Sequence, residues 1–219
     1  MKKLLIAAAL ILVPVSAQAR DQGYIEGAIG AAFIPTVNTH TYTATIGTDV
    51  VSGHGFLNYK TQWSPGAEIG YAGMYDGAMR FGISWDYLNG KLDTAGVTGT
   101  VNGVPGSITF PASTVKAAGF DFDTNVNVVA ANAYYDLPTF GERITPYIGL
   151  GVGSAWIKHA DTNFAGSATA GFQIAVSDDV YVGARYRFYW IPGVTDDLNI
   201  KYNAIKAHVV SAVIGVYLN

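Results

Sequence analysis

Apolar and polar residues alternate strictly along Met79-Arg80-Phe81-Gly82-Ile83-Ser84-Trp85-Asp86-Tyr87. Met79, Phe81, Ile83, Trp85 and Tyr87 share one parity; Arg80, Gly82, Ser84 and Asp86 share the other. A period of two with this contrast predicts a strand lying between two unlike environments. Val182–Trp190 repeats it, setting Val182, Ala184, Tyr186, Phe188 and Trp190 against Gly183, Arg185, Arg187 and Tyr189. Ile148–Gly153 alternates large apolar residues with glycine. Ala168, Ala170, Phe172 and Ile174 oppose Thr169, Gly171 and Gln173. Small and polar side chains take one face and bulky apolar ones the other. A soluble core wants the large side chains inside, whereas the narrow interior of a small barrel fits glycine.

Strand-like segments of about this kind recur along the whole chain, and helical periodicity is absent. They are Tyr24–Phe33, Gly66–Tyr71 (beginning near Trp63), Met79–Leu88, Phe120–Tyr135, Thr145–Trp156, Gly166–Val176, Val180–Ile191 and Ala204–Leu218. Two resist a single assignment. In the fourth, Asp121, Asp123, Asn125 and Asn127 share a parity that Asn132 lacks, so either a bulge or a wet outer end fits. The eighth is apolar on both faces from Val209 to Leu218, which leaves its register open.

Connections alternate in length. Residues 73–77, 138–142 and 177–179 are short, whereas 34–62 and 89–119 are long and 159–165 and 192–203 intermediate. Short turns on one side and longer loops on the other match the periplasmic turns and extracellular loops of an outer-membrane barrel. With the N-terminus periplasmic, Trp63, Trp85, Trp156 and Trp190 form an outer aromatic girdle, and Tyr71, Tyr134, Tyr147 and Tyr181 lie toward the inner interface. The fold expected is all-β: an eight-stranded antiparallel up-and-down transmembrane β-barrel over residues 20–219.

Composition supports a membrane setting. Half of the residues are hydrophobic and 13% are charged, against about 25% charged in soluble domains. No stretch after the leader has 18 successive apolar residues, so a membrane helix is not expected. The leader itself, residues 1–19, has Lys2 and Lys3, the apolar run Leu4–Val15, and Ala17-Gln18-Ala19. It reads as a secretory signal peptide cleaved after Ala19. Removing Lys2 and Lys3 leaves 11 basic against 16 acidic residues, a net charge of −5, which argues against a nucleic-acid partner. Cysteine is absent.

Parity assigns Glu26, Glu68, Arg80, Asp86, Arg185 and Arg187 to the lumen. Charges there must pair or meet water. They read as a plug of salt bridges, with a gate over a narrow polar path as the alternative. Enzyme readings need a constellation of residues. His40, His54 and His159 fall in loops or strand tips, and His208 and Ser211 have opposite parity. Asp178-Asp179 and Asp196-Asp197 read as turn pairs rather than calcium ligands. Gly149–Gly153 is no phosphate loop, because no helix follows it. No cofactor is expected.

Three stretches resemble a known family. They are Ile144-Thr145-Pro146-Tyr147-Ile148-Gly149-Leu150-Gly151-Val152-Gly153, Ala133-Tyr134-Tyr135-Asp136-Leu137 and Val182–Phe188. With the leader, these resemble the opacity-type and OmpA-like surface barrels of Gram-negative bacteria. The resemblance implies insertion by the barrel-insertion machinery into outer-membrane lipids. The chain departs from it at Val216-Tyr217-Leu218-Asn219, where such barrels commonly end on an aromatic residue. The expected role is a non-enzymatic surface protein, antigen or adhesin-like, with loops 34–62 and 89–119 as candidate contacts for an extracellular ligand. The alternatives are a narrow channel for small solutes and a lipid A-modifying enzyme. Gly103-Val104-Pro105-Gly106 is expected to turn between two β-like arms of the second loop.

Overall fold

The computed structural model describes residues 22–74, 77–141, 143–158, 160–195 and 200–218. The signal peptide, His159 and the Asp196-Asp197 pair lie outside these residues. In chain order the elements are β1 (Gln22–Phe33), β2 (Val37–Asn38), β3 (Tyr42–Ile46), β4 (Asp49–Lys60), β5 (Gln62–Met74), β6 (Met79–Val101) and β7 (Val104–Pro111). A short helix α1 (Ala112–Ala117) follows, then β8 (Thr124–Asp136), β9 (Ile144–Ile157), β10 (Asn163–Ala175), β11 (Val180–Ile191) and β12 (Ile205–Leu218).

Eight strands pair antiparallel in the ring β1-β5-β6-β8-β9-β10-β11-β12, and β12 returns to β1 through Gly23↔Leu218 to Phe33↔His208. Closure leaves the ring without an edge, so every ladder group finds a partner, as a lipid-facing wall requires. The outward positions are bulky and apolar: Ile25, Ile29, Ile69, Ile83, Ile148, Leu150, Val152, Val210 and Ile214 are all exposed.

The two ambiguous strands resolve through their neighbours. β8 runs in unbroken register against both β6 and β9, so no bulge is present. Asp121 and Asp123 precede the strand, and Asn127 faces outward, accepting a hydrogen bond from Trp85 Nε1 at 3.1 Å. Asn132 points into the lumen and is buried. In β12, pairing with β1 and β11 turns Val209, Ser211 and Val213 inward and Val210, Ile214 and Val216 outward.

The third segment extends far beyond Leu88. β6 is 23 residues long, whereas about 9–11 residues cross a bilayer. Its outer half pairs with β4 and β7, and β3 adds to β4, making a second sheet beyond the barrel. Much of the expected loop 89–119 is therefore strand. The register shift between Asn58 and Tyr59, opposite Leu92–Thr94, breaks the alternation there and hides the continuation. The arm turns at Asn102-Gly103, not at 103–106: Val101 pairs with Val104, and the two turn residues have φ of 50° and 83°. Asn-Gly suits the left-handed pair that a two-residue hairpin needs.

This outer sheet is amphipathic. Registers Leu57↔Ala95↔Phe110, Gly55↔Val97↔Ile108 and Val51↔Val101↔Val104 place apolar groups and glycine on one face. Asn58, Thr94, Thr98, Ser52 and Ser107 line the other, where Asn58 bonds Thr94 and Thr98 bonds Ser107.

Candidate functional site

Inside the barrel the side chains form two layers. The layer toward the short turns is polar. Glu26, Glu68, Arg80, Asp86, Arg185 and Arg187 are all buried there, none more than 4% exposed. Two arginines two residues apart on β11 reach across to carboxylates on three other strands. Arg185 Nη1 lies 2.7 Å from Glu26 Oε1 on β1 and 3.7 Å from Glu68 Oε2 on β5, and Arg185 Nη2 lies 3.6 Å from Asp86 Oδ1 on β6. Arg187 Nη1 donates to Asp86 Oδ2 at 2.6 Å, and Nη2 to Glu68 Oε2 at 3.1 Å. Arg187 also donates through Nε to Thr169 Oγ1 and through Nη1 to Ser84 Oγ, both at 3.1 Å, and through Nη2 to the Tyr134 hydroxyl. The planar guanidinium fork meets several acceptors at once, which an ammonium cannot do.

Arg80 sits apart, below this cluster. Its Nε lies 2.9 Å from Asp136 Oδ2, and its guanidinium lies 4.7, 5.0 and 5.7 Å from the ring centroids of Tyr147, Tyr134 and Tyr24. Among the described residues the lumen thus holds four carboxylates to three guanidinium groups. Asp136 was missed by sequence reasoning because the fourth segment ends at Tyr135 there. Counting by twos from Asn132 reaches it.

Three of the four tyrosines assigned to an inner girdle turn out to be lumenal. Tyr134, Tyr147 and Tyr181 are buried, and Tyr71 alone of the four is exposed. Their parity is that of the glycines, and the registers show why. Tyr134 pairs with Gly149, Tyr147 with Gly171, Tyr181 with Gly215, and Tyr24 with Gly70. A Cβ on Gly149 would stand 2.3 Å from the Tyr134 ring, and one on Gly215 2.1 Å from the Tyr181 ring. Each ring lies over the bare backbone opposite, and the hydroxyls of Tyr24, Tyr134 and Tyr181 reach an acid. Tyr24 and Tyr134 donate to Glu68, Tyr181 donates to Glu26, and Tyr189 donates to Asp86. A few buried polar atoms, Arg80 Nη2, Asn132 Oδ1, Ser167 Oγ and Gln173 Nε2, have no hydrogen-bond partner among the described residues.

The layer toward the long loops is apolar. Leu88, Leu92, Val126, Val128 and Ile191 are fully buried there. Tyr189 marks the boundary, its ring among these residues and its hydroxyl 2.6 Å from Asp86. Above them a cavity of about 400 Å³ opens at the mouth, with walls from all four outer connections and the strand ends beside them. At its margin Lys158 Nζ lies 2.9 Å from Asp121 Oδ2, and Lys116 Nζ 2.6 Å from Asp123 Oδ2. The hydrogen bond from Lys158, helped by the Asp123 amide, holds the Asp121 carboxyl below its ordinary value. The bond to Asp123 raises the Lys116 ammonium. Burial pushes the Tyr59 phenol, 3.0 Å from Thr124 Oγ1, up to about 12.

The tryptophans all face outward toward the long-loop end, exposed on the wall, with Trp63 and Tyr87 ring centroids 6.0 Å apart. His208 also faces outward, 2.8 Å from the Tyr186 hydroxyl, while Ser211 is buried in the lumen. His40 and His54 lie in the outer connection between β1 and β5. Among the described residues no group of three or more His, Cys, Asp or Glu is placed to hold a metal ion.

The sequence model for the family described as outer membrane protein beta-barrel domain matches residues 5–211. Among solved structures, Neisserial surface protein A is similar at 19% identity and a TM-score of 0.54, with 90% of this chain and 97% of that one covered. OprG of Pseudomonas aeruginosa aligns at 9% identity and 0.53, covering 94% and 100%. The outer membrane protein AlkL aligns at 12% and 0.52, covering 94% and 95%. At these identities the likeness is one of fold. No curated protein matches the sequence.

Proposed function

The chain belongs to the outer membrane protein β-barrel domain family, and from that premise we propose that it is a plugged surface barrel: a wall in the outer membrane that holds an outer β-sheet at the cell surface as its contact face. One observation carries this reading. Arg185 and Arg187 span the lumen to Glu26, Glu68 and Asp86, so an ion following the axis must break pairs whose partners are buried with them. In an eight-stranded barrel the interior has little room beyond its own side chains.

In this reading the leader is removed after Ala19, the insertion machinery places the barrel, and the short turns face the periplasm. Trp63, Trp85, Trp156 and Trp190 then sit at the outer interface, where indole rings are favoured. The sheet of β3, β4, β7 and the outer half of β6 projects outward, and a protein named as a surface protein is among the structural neighbours. The protein, reconstituted in planar bilayers at neutral pH, is expected to show no steady conductance. Stable ohmic openings of the unaltered protein would overturn the plugged reading in favour of a narrow channel. The reading is also non-enzymatic, since His208 and Ser211 lie on opposite sides of the wall. Lipid A masses that change when the gene is deleted and return on complementation would contradict that.

A further inference from the structure

Beyond the role of a surface anchor, we propose that the outer mouth of the barrel is a blind binding site for a single hydrocarbon chain of about ten carbons bearing at most one polar head group. The cavity volume of about 400 Å³ falls within the range of small-molecule sites and equals roughly a dozen methylene- or water-sized groups. Its walls converge from every side of the mouth. Val37 and Leu57 come from the first outer connection, Phe122 from the second, Ile157 from the outer end of β9, and Val194 and Ile205 from the last connection and the start of β12.

Two features decide the class of ligand. The buried part of the lining is apolar: Val37, Leu57, Ile157, Val194 and Ile205 are 3–8% exposed, so a polar group set among them would go unpaired and cost free energy. Among the described residues the charged groups stand at the exposed margin, Asp121 with Lys158 and Asp123 with Lys116, each paired with an opposite ion. A chain therefore enters apolar end first and leaves its head at the rim. Below the cavity the packed side chains of Leu88, Leu92, Val126 and Val128, and then the arginine–carboxylate layer, close the barrel, which makes this a capture site and not a passage. Leu57 also belongs to the apolar face of the outer sheet, in register with Ala95 and Phe110. That face descends directly to the cavity.

A free fatty acid and the acyl chain of a membrane lipid share this chemistry. The test uses the full-length mature protein in phospholipid nanodiscs, with diazirine-bearing decanoic acid in one arm and a phospholipid carrying the same diazirine chain in the other. Peptides containing residues 119–124 and 194–205 are expected to be labelled, with labelling suppressed by excess decanoic acid in the first arm. Labelling in the second arm only would identify a membrane lipid as the source. Filling the cavity with Ile157→Trp is expected to reduce this labelling about tenfold, the equivalent of about 1.4 kcal/mol. Leu57→Trp, on β4 outside the ring, is expected to act in the same way without altering a residue of a ring strand. Folding of each variant is read from the heat-dependent shift in electrophoretic mobility. Labelling confined to the lipid-facing strands, or unchanged in a folded Leu57→Trp variant, overturns the proposal. The conductance result bears only on the plug, so the two readings fail separately.

Discussion

Arg187 is the most heavily engaged side chain in the lumen. It is 1% exposed and donates to Asp86, Glu68, Ser84, Thr169 and Tyr134. Removing one partner of a buried ion pair costs about 3–5 kcal/mol, because the opposite charge stays behind undischarged. Here two carboxylates, Glu68 and Asp86, would stay behind, in a lumen that already holds one more acid than base. Arg187→Met is therefore expected to lower stability by about that amount, measured as the guanidinium midpoint of the protein refolded in liposomes. Arg187→Lys is expected to recover only part of it, since one ammonium cannot fork between Glu68 and Asp86. An unchanged midpoint in Arg187→Met would show that the pairs add nothing to the folded state.

Among the elements, the segment Gly119–Thr124 between α1 and β8 is held by charge as much as by packing. Asp123 accepts from Lys116 and from the Leu92 amide, while Asp121 accepts from Lys158 on the neighbouring strand connection. The folded-state value of Asp121 is depressed, so its contribution is fully present above the unfolded value of about 3.9. It is lost as pH falls through the lower folded value. The segment is expected to stay closed from neutral pH down to about 4 and to loosen below that. Amide hydrogen exchange of residues 119–124 at stepped pH checks this. Asp121→Asn is expected to show the loosened exchange already at neutral pH, and loosening that begins near pH 6 would point to another group.

At the scale of the whole molecule, the barrel and the outer sheet meet through β6 and through the apolar cluster that includes Leu57 and Ala95. Beyond that cluster β3 pairs with β4, and β4 and β7 pair with the outer half of β6, while the Lys201 amide of the last outer connection donates to the Tyr42 hydroxyl on β3 at 3.4 Å. Replacing residues 97–108 by an Asn-Gly turn, and shortening the β3–β4 arm to match, is expected to leave a barrel that still folds. Its heat-dependent mobility shift should persist, with a midpoint lowered less than in Arg187→Met. Failure of the shortened chain to insert would mean that the sheet is part of the folding unit. If it inserts, the shortened protein is the tool for asking which surface contacts the sheet makes.

The alternation of residues by itself determined the wall. Period two is a local property, set by the geometry of an extended chain, so Arg80, Asp86, Arg185 and Arg187 were placed on the inner face without knowledge of any neighbour. Strand count and the asymmetry of the connections followed from the same local signals. Three things waited for tertiary structure. The register of β12 depended on β1 and β11, because Val209–Leu218 is apolar on both parities. The continuation of β6 was hidden by the irregularity opposite Leu92–Thr94, which reverses parity in mid-strand. The tyrosines could not be placed from aromatic character alone. Whether a ring belongs at an interface or in a lumen depends on what lies opposite it, and Tyr134, Tyr147 and Tyr181 face glycines that only strand pairing brings there. The division of the interior into a charged layer and an apolar mouth was decided in the same way. It is a relation among side chains from all eight strands, and no single segment of the sequence contains it.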